Sequence, residues 1–324
     1  MIEMIDFTNL ELSSRDLLYG GRAGTKLGVI LNGEFWMVKF PKDTKNLRDS
    51  IGISYSSAPL SEYLGSKVYE IMGFDVQEVK LGIIFDGKRN KLVCGCKDFL
   101  QNEDLRLASF TKLKNDAKQD LKGMDEGIAY GEYTLEIIAK QLEENRALKQ
   151  VFGVKERFWR VVVMDLLINN NDRNDDNWGL IYSKKDGTFS LAPIYDNGAS
   201  FHSKVSENKI SDLLSNPAKM MSSVLNGVTG YHDAKGNNIR NDAVLNFASK
   251  DLEEAILYVG DKFQEKVGEI KKFFAEIPEY YKGIEVFTKQ RKLYYMSSMM
   301  SRYQHIIQPA MSRIREKEDE YCLE

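Results

Sequence analysis

Residues 169–177 read NNNDRNDDN, a run of Asn, Asp and Arg set between the apolar stretch VVVMDLLI and WGLIY. Within it Asp172 and Asn177 stand five positions apart, and Asp196 follows 24 positions after Asp172, in APIYDNGASF. Two carboxylates and an amide in this order suit phosphoryl transfer. One carboxylate can orient an attacking hydroxyl and take its proton, while an amide oxygen and a second carboxylate hold Mg2+, which prefers hard oxygen donors. A calcium loop starting at Asp172 would place Asn174 and Asp176 correctly. Its sixth position is Asn177 instead of Gly, however, and its twelfth is Ser183 instead of Glu. A plain polar surface loop is the other alternative. The apolar shoulders argue against it, because they would bury both ends of the loop.

Two further features could serve the same chemistry. Lys39 is a lone charge in FWMVKF, and strand alternation puts it on the face of Phe35 and Met37. A lysine there is costly to bury unless it is paired or bound to an anion. An edge-strand lysine that reaches water is the alternative. A lysine that meets phosphates needs a carboxylate partner, and Glu62, 23 residues on, is the candidate. Upstream, YGGRAGTKLG holds Gly20, Gly21, Gly24 and Gly28. Backbone N–H groups in such a loop can cradle phosphate oxygens. The stretch is neither a Walker A loop nor G-x-G-x-x-G, and a flexible Gly-rich turn also explains it.

These residues need elements to position them. Lys26–Leu31 and Glu34–Phe40 read as strands joined by Asn32-Gly33, a two-residue hairpin signal. Pro59–Met72 carries Leu60, Tyr63, Leu64, Val68, Ile71 and Met72 at helical spacing, with Pro at its start and Gly73 at its end. Val76–Phe85 and Asn90–Phe99 read as strands around Asp86-Gly87. Residues 15–99 thus predict a small antiparallel sheet with one helix. Beyond residue 100 the pattern predicts helices over Thr111–Asp125, Tyr133–Asn145 and Lys149–Ile168, the last running into NNNDRNDDN. Short strands at Gly179–Tyr182 and Thr188–Ala192 flank the turn KKDG. Residues 203–245 are polar and read as loop-rich. Residues 246–316 read as mostly helical, and the charged tail REKEDEYCLE as frayed.

The totals exclude some classes. In 324 residues, 45 Lys and Arg against 48 Asp and Glu give a net charge of −3, without the basic footprint that nucleic acid requires, so no nucleic-acid partner is expected. There is no apolar run long enough to span a membrane and no N-terminal signal pattern, so the chain is expected in the cytoplasm. Three cysteines are too few for a disulfide framework. Cys94 and Cys96, two apart, should share one strand face turned to a core. Lys271, Lys272, Lys289, Arg291 and Lys292 read as a solvated helix face.

The order Gly loop, strand Lys, helix Glu, D-x-x-x-x-N and then Asp is that of protein kinases. On GGRAGTKLGV, WMVKFPK, SEYLGSKVYEIMG, NNDRNDDNWGL and LAPIYDNGASF, the chain resembles the HipA-like serine/threonine kinases over nearly its whole length. The last two stretches resemble that family's N-x-D-R/G-H-x-x-N and A-P-x-Y-D signatures. The resemblance implies an α+β, bilobal protein kinase-like fold. Residues 1–100 would form an N-lobe with an antiparallel sheet, one helix and a hinge at its end. Residues 101–324 would form a mostly helical C-lobe with the catalytic loop and metal site. It implies ATP and Mg2+ as cofactors and a protein substrate with a Ser or Thr acceptor, the chain itself included.

Carried over by motif, Asp172 is the catalytic base, and Asn177 and Asp196 are the Mg2+ ligands. Lys39 contacts the phosphates with support from Glu62. Ala23, Gly24, Thr25 and Lys26 belong to the phosphate loop. Lys97, Asp98 and Phe99 offer hinge backbone groups to adenine. There are departures. Two residues after the base, where HipA-like members carry histidine, stands Asn174, a neutral donor. Lys26 and Arg173 are candidates for the charge this removes. The Gly loop has no Ser, which leaves Thr25, Tyr19 or the stretch Ser54, Tyr55, Ser56 and Ser57 as acceptors for autophosphorylation. The short chain resembles family members that enter host cells, which implies a bacterial effector. A kinase-shaped binding protein and a small-molecule or lipid kinase on the same fold are the alternatives.

Overall fold

The computed structural model describes residues 2–13, 26–41, 56–114 and 133–321. The fold is α+β, and the chain divides into two compact units. Unit 1 comprises Met1–Gln101, Ile194–Met221 and Phe263–Met300; unit 2 comprises Asn102–Pro193, Ser222–Lys262 and Ser301–Glu324.

In unit 1, β3 (Lys26–Leu31) and β4 (Glu34–Lys39) form the expected hairpin. Asn32 and Gly33 both take positive φ, 54° and 79°, the signature of a tight two-residue turn that matches strand twist. With β1 (Ile5–Asp6), β2 (Glu11–Leu12), β5 (Val79–Phe85) and β6 (Asn90–Lys97), they build a six-stranded sheet of order β1-β5-β6-β4-β3-β2. The sheet departs from the expected antiparallel pattern at one edge, where β1 pairs parallel to β5. Alternation gives the two faces different work. Trp36, Val38, Val29, Val93 and Ile84 close over Phe7 as one core. The opposite side of β4 presents Phe35, Met37 and Lys39, with Cys94 and Cys96 directly across from Lys39 and Met37. Both cysteines are buried free thiols, and burial, followed by the hydrogen bond with Cys96, holds the Cys94 thiol well above its usual range.

The helix α1 (Ala58–Ile71) starts with Pro59 in its first turn and is followed by Gly73 at φ 86°. Residues 203–245 are not loop-rich. They contain the helices Glu207–Ser215 and Pro217–Leu225 and a hairpin of Val228–His232 with Asn238–Arg240. The starts of both helices are written in side chains: Ser206 accepts from Lys209 N at 3.2 Å, and Asn216 from Lys219 N at 3.1 Å, next to Pro217. Arg291, on the helix Lys289–Arg302, is not part of a solvated face either. It is buried, and it donates to Glu207 at 2.7 Å, Tyr295 at 3.1 Å and the Val205 carbonyl at 3.1 Å.

In unit 2, β7 (Leu105–Ser109), β8 (Gly179–Ser183) and β9 (Thr188–Leu191) form an antiparallel sheet. The expected helix at Thr111–Asp125 lies mostly outside the described residues. The helix expected over Lys149–Ile168 begins only at Val154, and Lys149 instead closes a one-turn piece, Arg146–Lys149. Gly153, at φ 79°, breaks the path between them. The charged tail, expected to fray, is helical to Tyr321, and along it Arg315 pairs with Asp261 at 2.7 Å and Lys317 with Glu253 at 3.1 Å. No helix among the described residues is long and apolar enough to cross a membrane.

Candidate active site

Lys39 is the centre of the site in unit 1. Its Nζ donates to Glu62 Oε2 and to Asp196 Oδ1, both at 2.7 Å. Burial opposes the charge, but the Asp196 and Glu62 carboxylates outweigh it and hold the ammonium well above its usual range. The two acids differ: the Glu62 side chain is 1% exposed and that of Asp196 is 46% exposed. Glu62 uses its second oxygen as well, accepting from Asn197 N at 3.0 Å. One buried carboxylate on α1 therefore fixes the lysine and the backbone just after Asp196. Asn197 is itself buried and donates through Nδ2 to Ser66 Oγ at 3.0 Å. This clamp holds Asp196 at φ 60°, a left-handed backbone uncommon for a residue with a Cβ.

Gly65 lets α1 approach that loop. A Cβ there would lie 2.9 Å from Asn197 Cβ and 2.9 Å from Ser200 Oγ. Gly65→Ala is expected to cost about 1–3 kcal/mol through overpacking. Urea unfolding checks this; an unchanged midpoint would show that α1 can move away without loss.

Lys26 faces Lys39 across the hairpin register. Burial first, and Lys39 second, push its ammonium below the usual range. Ala23, Gly24 and Thr25 lie outside the described residues, as do Tyr19, Ser54 and Tyr55. Ser56 is buried, and Ser57 Oγ donates to the Ser203 carbonyl at 3.0 Å, so neither is presented as an acceptor.

At Lys97–Phe99, most of the backbone is already committed. Lys97 N donates to Glu78 O at 2.8 Å, and Lys97 O accepts from Gln77 Nε2 at 2.8 Å. Asp98 N donates to Phe35 O at 2.9 Å, and Asp98 O accepts from Gln101 Nε2. The backbone N–H and carbonyl of Phe99 make no hydrogen bond among the described residues. Of the three expected residues, Phe99 is the one that can still offer both groups, and its ring lies 5.5 Å from that of Tyr195.

In unit 2, the helix Val154–Ile168 ends at Asn169 in a left-handed cap, φ 55°, and the polar loop follows. Arg173 is 1% exposed and fully used. It donates to Asp165 through Nε at 2.9 Å and Nη2 at 3.0 Å, and to the Asn177 carbonyl at 3.1 Å. Arg173, expected as a possible source of charge for a phosphoryl group, does not fill that role: its guanidinium is buried against Asp165. Tyr231 OH and Asn170 Nδ2 also donate to Asp165, both at 3.1 Å. Asp175 pairs with Lys114 at 2.9 Å, and Asp176 accepts from Ser109 Oγ at 3.2 Å. Asp172 is exposed, and its carboxylate makes no hydrogen bond among the described residues. Asn174 turns its amide into its own loop, donating to Asp172 O at 3.3 Å and accepting from Asp176 N at 3.0 Å. Asn177 donates through Nδ2 to the Asp172 carbonyl at 2.8 Å, which leaves its amide oxygen as the group for a cation.

The structure thus joins Lys39, Glu62 and Asp196 in one cluster and Asp172 and Asn177 in one loop. Sequence reading missed Asp165, Tyr231, Lys114, Asn197, Gln77 and Gln101. The acid inside VVVMDLLI was the visible signal for the first of these.

The HipA-like C-terminal domain family matches residues 20–255, well over half of the chain. The chain belongs to that family. Among HipA-like relatives, the serine/threonine-protein kinase CtkA of Helicobacter pylori is 29% identical over 223 residues. That match covers 68% of this chain and 63% of CtkA, so it spans less than two thirds of the relative's length. The crystal structure of the Helicobacter pylori proinflammatory kinase CtkA superposes with a TM-score of 0.81 at 24% identity, covering 97% of this chain and 98% of that one. HipA from the Shewanella oneidensis complex with HipB and operator DNA matches with a TM-score of 0.50 at 12% identity, covering 96% and 75%. These two likenesses show the HipA-like kinase fold.

Proposed function

We propose that this HipA-like chain is a serine/threonine protein kinase that uses ATP and Mg2+ and also phosphorylates itself. Residues 1–100 are proposed as its nucleotide-binding lobe and residues 101–324 as the lobe with the catalytic loop. The observation that carries the reading is the Lys39–Glu62–Asp196 cluster: a buried lysine held charged between two acids, one of them half-exposed and able to face a cation.

The donor chemistry fits the cofactor. Among the described residues no group of three or more His, Cys, Asp or Glu side chains could hold a metal ion. Asn177 and Asp196 supply hard oxygens, the small protein share expected for Mg2+, which takes its other ligands from phosphate and water. Asn177 and Asp196 are the proposed Mg2+ ligands; Lys39, Lys26 and the loop of Ala23, Gly24 and Thr25 the proposed phosphate contacts; and Phe99 the proposed hinge contact. When bound, ATP and Mg2+ supply a phosphoryl group whose negative charge is partly neutralised. Lys39 adds a fixed positive charge that needs no reorganisation, because Glu62 already positions it. Asp172 orients the acceptor hydroxyl and takes its proton. Arg173 keeps that loop in shape without contacting the phosphoryl group.

The test is incubation of purified chain with γ-labelled ATP and Mg2+, beside Asp172→Ala. Label on Ser or Thr in the wild type and none in the variant is the expected result. A wild type that binds ATP without transferring label would leave a kinase-shaped binding protein. CtkA is described as proinflammatory, and on that similarity we propose host-cell action for this chain. Its addition to cultured human macrophages should raise cytokine release, and Asp172→Ala should not.

A further inference from the structure

We infer that Gln77 is a positioning residue that couples the hinge to the segment carrying Asp196, so that binding of the base and binding at Asp196 support each other. The inference rests on the kinase reading for its functional half, and on unit 1 geometry alone for its structural half.

Gln77 is 6% exposed, and both of its ends are used. Its backbone N donates to the Ile194 carbonyl at 2.8 Å, and Ile194 N donates back to Asp75 O at 3.0 Å. Val76 and Ile194 thereby form an isolated parallel bridge. This bridge lies two residues before Asp196. The Gln77 side chain donates through Nε2 to the Lys97 carbonyl at 2.8 Å. Lys97 N is held on the neighbouring Glu78 carbonyl at 2.8 Å. Residues 77 and 78 therefore hold both backbone groups of Lys97, while residues 75 and 77 hold both backbone groups of Ile194. The Phe99 and Tyr195 rings, 5.5 Å apart, add an apolar contact between the same two segments.

A buried side-chain amide is well suited to this work. A backbone carbonyl left without its donor in a buried site loses a hydrogen bond, and the strand end carrying it is freed to shift. Neither Lys97 nor Ile194 could move by an ångström without breaking a bond to the 75–78 stretch. A ligand group at the hinge that fixes Lys97–Phe99 will therefore also reduce the freedom of Ile194–Asp196, and the reverse holds by reciprocity. Gln77 joins the two segments because its backbone N–H is in one bridge and its side-chain amide in the other.

The test uses the full chain with Gln77→Met, which keeps length and volume but lacks the donor, and Gln77→Glu, which replaces the donor with an oxygen facing a carbonyl. The first readout needs no ligand: hydrogen exchange of peptides covering 97–101 and 194–200. In Gln77→Met both peptides should exchange at least about fivefold faster, the loss of one hydrogen bond. Faster exchange in 97–101 alone would overturn the coupling, since it would show a local effect. The second readout is calorimetric affinity for adenosine and for Mg-ATP. Adenosine affinity should fall about five- to tenfold in Gln77→Met, and further in Gln77→Glu. The gain in affinity that Mg-triphosphate adds to adenosine should shrink in both variants. KM for ATP should rise by the same factor while kcat falls less than about threefold. An unchanged increment from Mg-triphosphate in folded variants would overturn the inference. A wild type that binds neither ligand would overturn the kinase reading instead, and the exchange data would still decide whether Gln77 joins the two segments.

Discussion

Asp196→Ala will give a stably folded chain that transfers phosphate at least about 10³-fold more slowly than the wild type, the scale of removing a fixed electrostatic contact from a transition state. The geometry separates the two effects. Asp196 is half-exposed, and its removal leaves Lys39 still paired with Glu62 at 2.7 Å. The Asn197 N–H also stays on Glu62. No buried charge is stranded, so stability should change by no more than about 1 kcal/mol. Lys39→Ala is the informative contrast. It leaves the Glu62 carboxylate, 1% exposed, without its cation. Stranding a buried charge typically costs about 3–5 kcal/mol, so this variant loses activity and stability together. Single-turnover transfer from γ-labelled ATP, with urea unfolding of each variant, checks both claims. An Asp196→Ala protein that keeps a tenth of the wild-type rate would remove Asp196 from the metal site.

How much of this was legible depends on the range of the contact. The Lys39–Glu62 pair could be read because strand alternation isolates the lysine and the acid falls on the buried side of an amphipathic helix 23 residues later. The third member, Asp196, lies 157 residues from Lys39, and no local period reports such a contact. The hairpin turn at Asn32-Gly33 was legible because it demands particular residues. The helices at Glu207–Ser215 and Pro217–Leu225 carried equally local signals in Ser206, Asn216 and Pro217, but polar composition hid them. Gly153 was readable in principle as a helix break and was overridden by the apolar pattern on either side. The hinge was expected to read adenine through Lys97–Phe99, yet Gln77 and Gln101 already occupy carbonyls of Lys97 and Asp98. Side-chain amides that bond backbone leave no periodic trace, so that narrowing was visible in three dimensions alone.

Arg173 shows the same limit with the largest energetic consequence. A charge inside NNNDRNDDN reads as exposed, and its partner sits eight residues earlier inside an apolar helix. Arg173→Ala should cost about 3–5 kcal/mol, because it leaves Asp165, 2% exposed, as a buried carboxylate without a cation. Tyr231→Phe removes one hydrogen bond to the same carboxylate and should cost about 1.5–3 kcal/mol. Replacing both charges, Asp165→Leu with Arg173→Met, removes the stranded charge and should recover most of the stability lost in Arg173→Ala. It should not recover transfer. The same double change takes away the Arg173 donor to the Asn177 carbonyl and the Asp165 acceptor of Asn170 Nδ2, so the loop bearing Asp172 loses two of its internal ties. Urea unfolding and initial-rate transfer on the four proteins decide the matter. Recovery of stability with activity still reduced at least about tenfold would show that the buried ion pair sets the position of the catalytic loop, since a role in stability alone would return both.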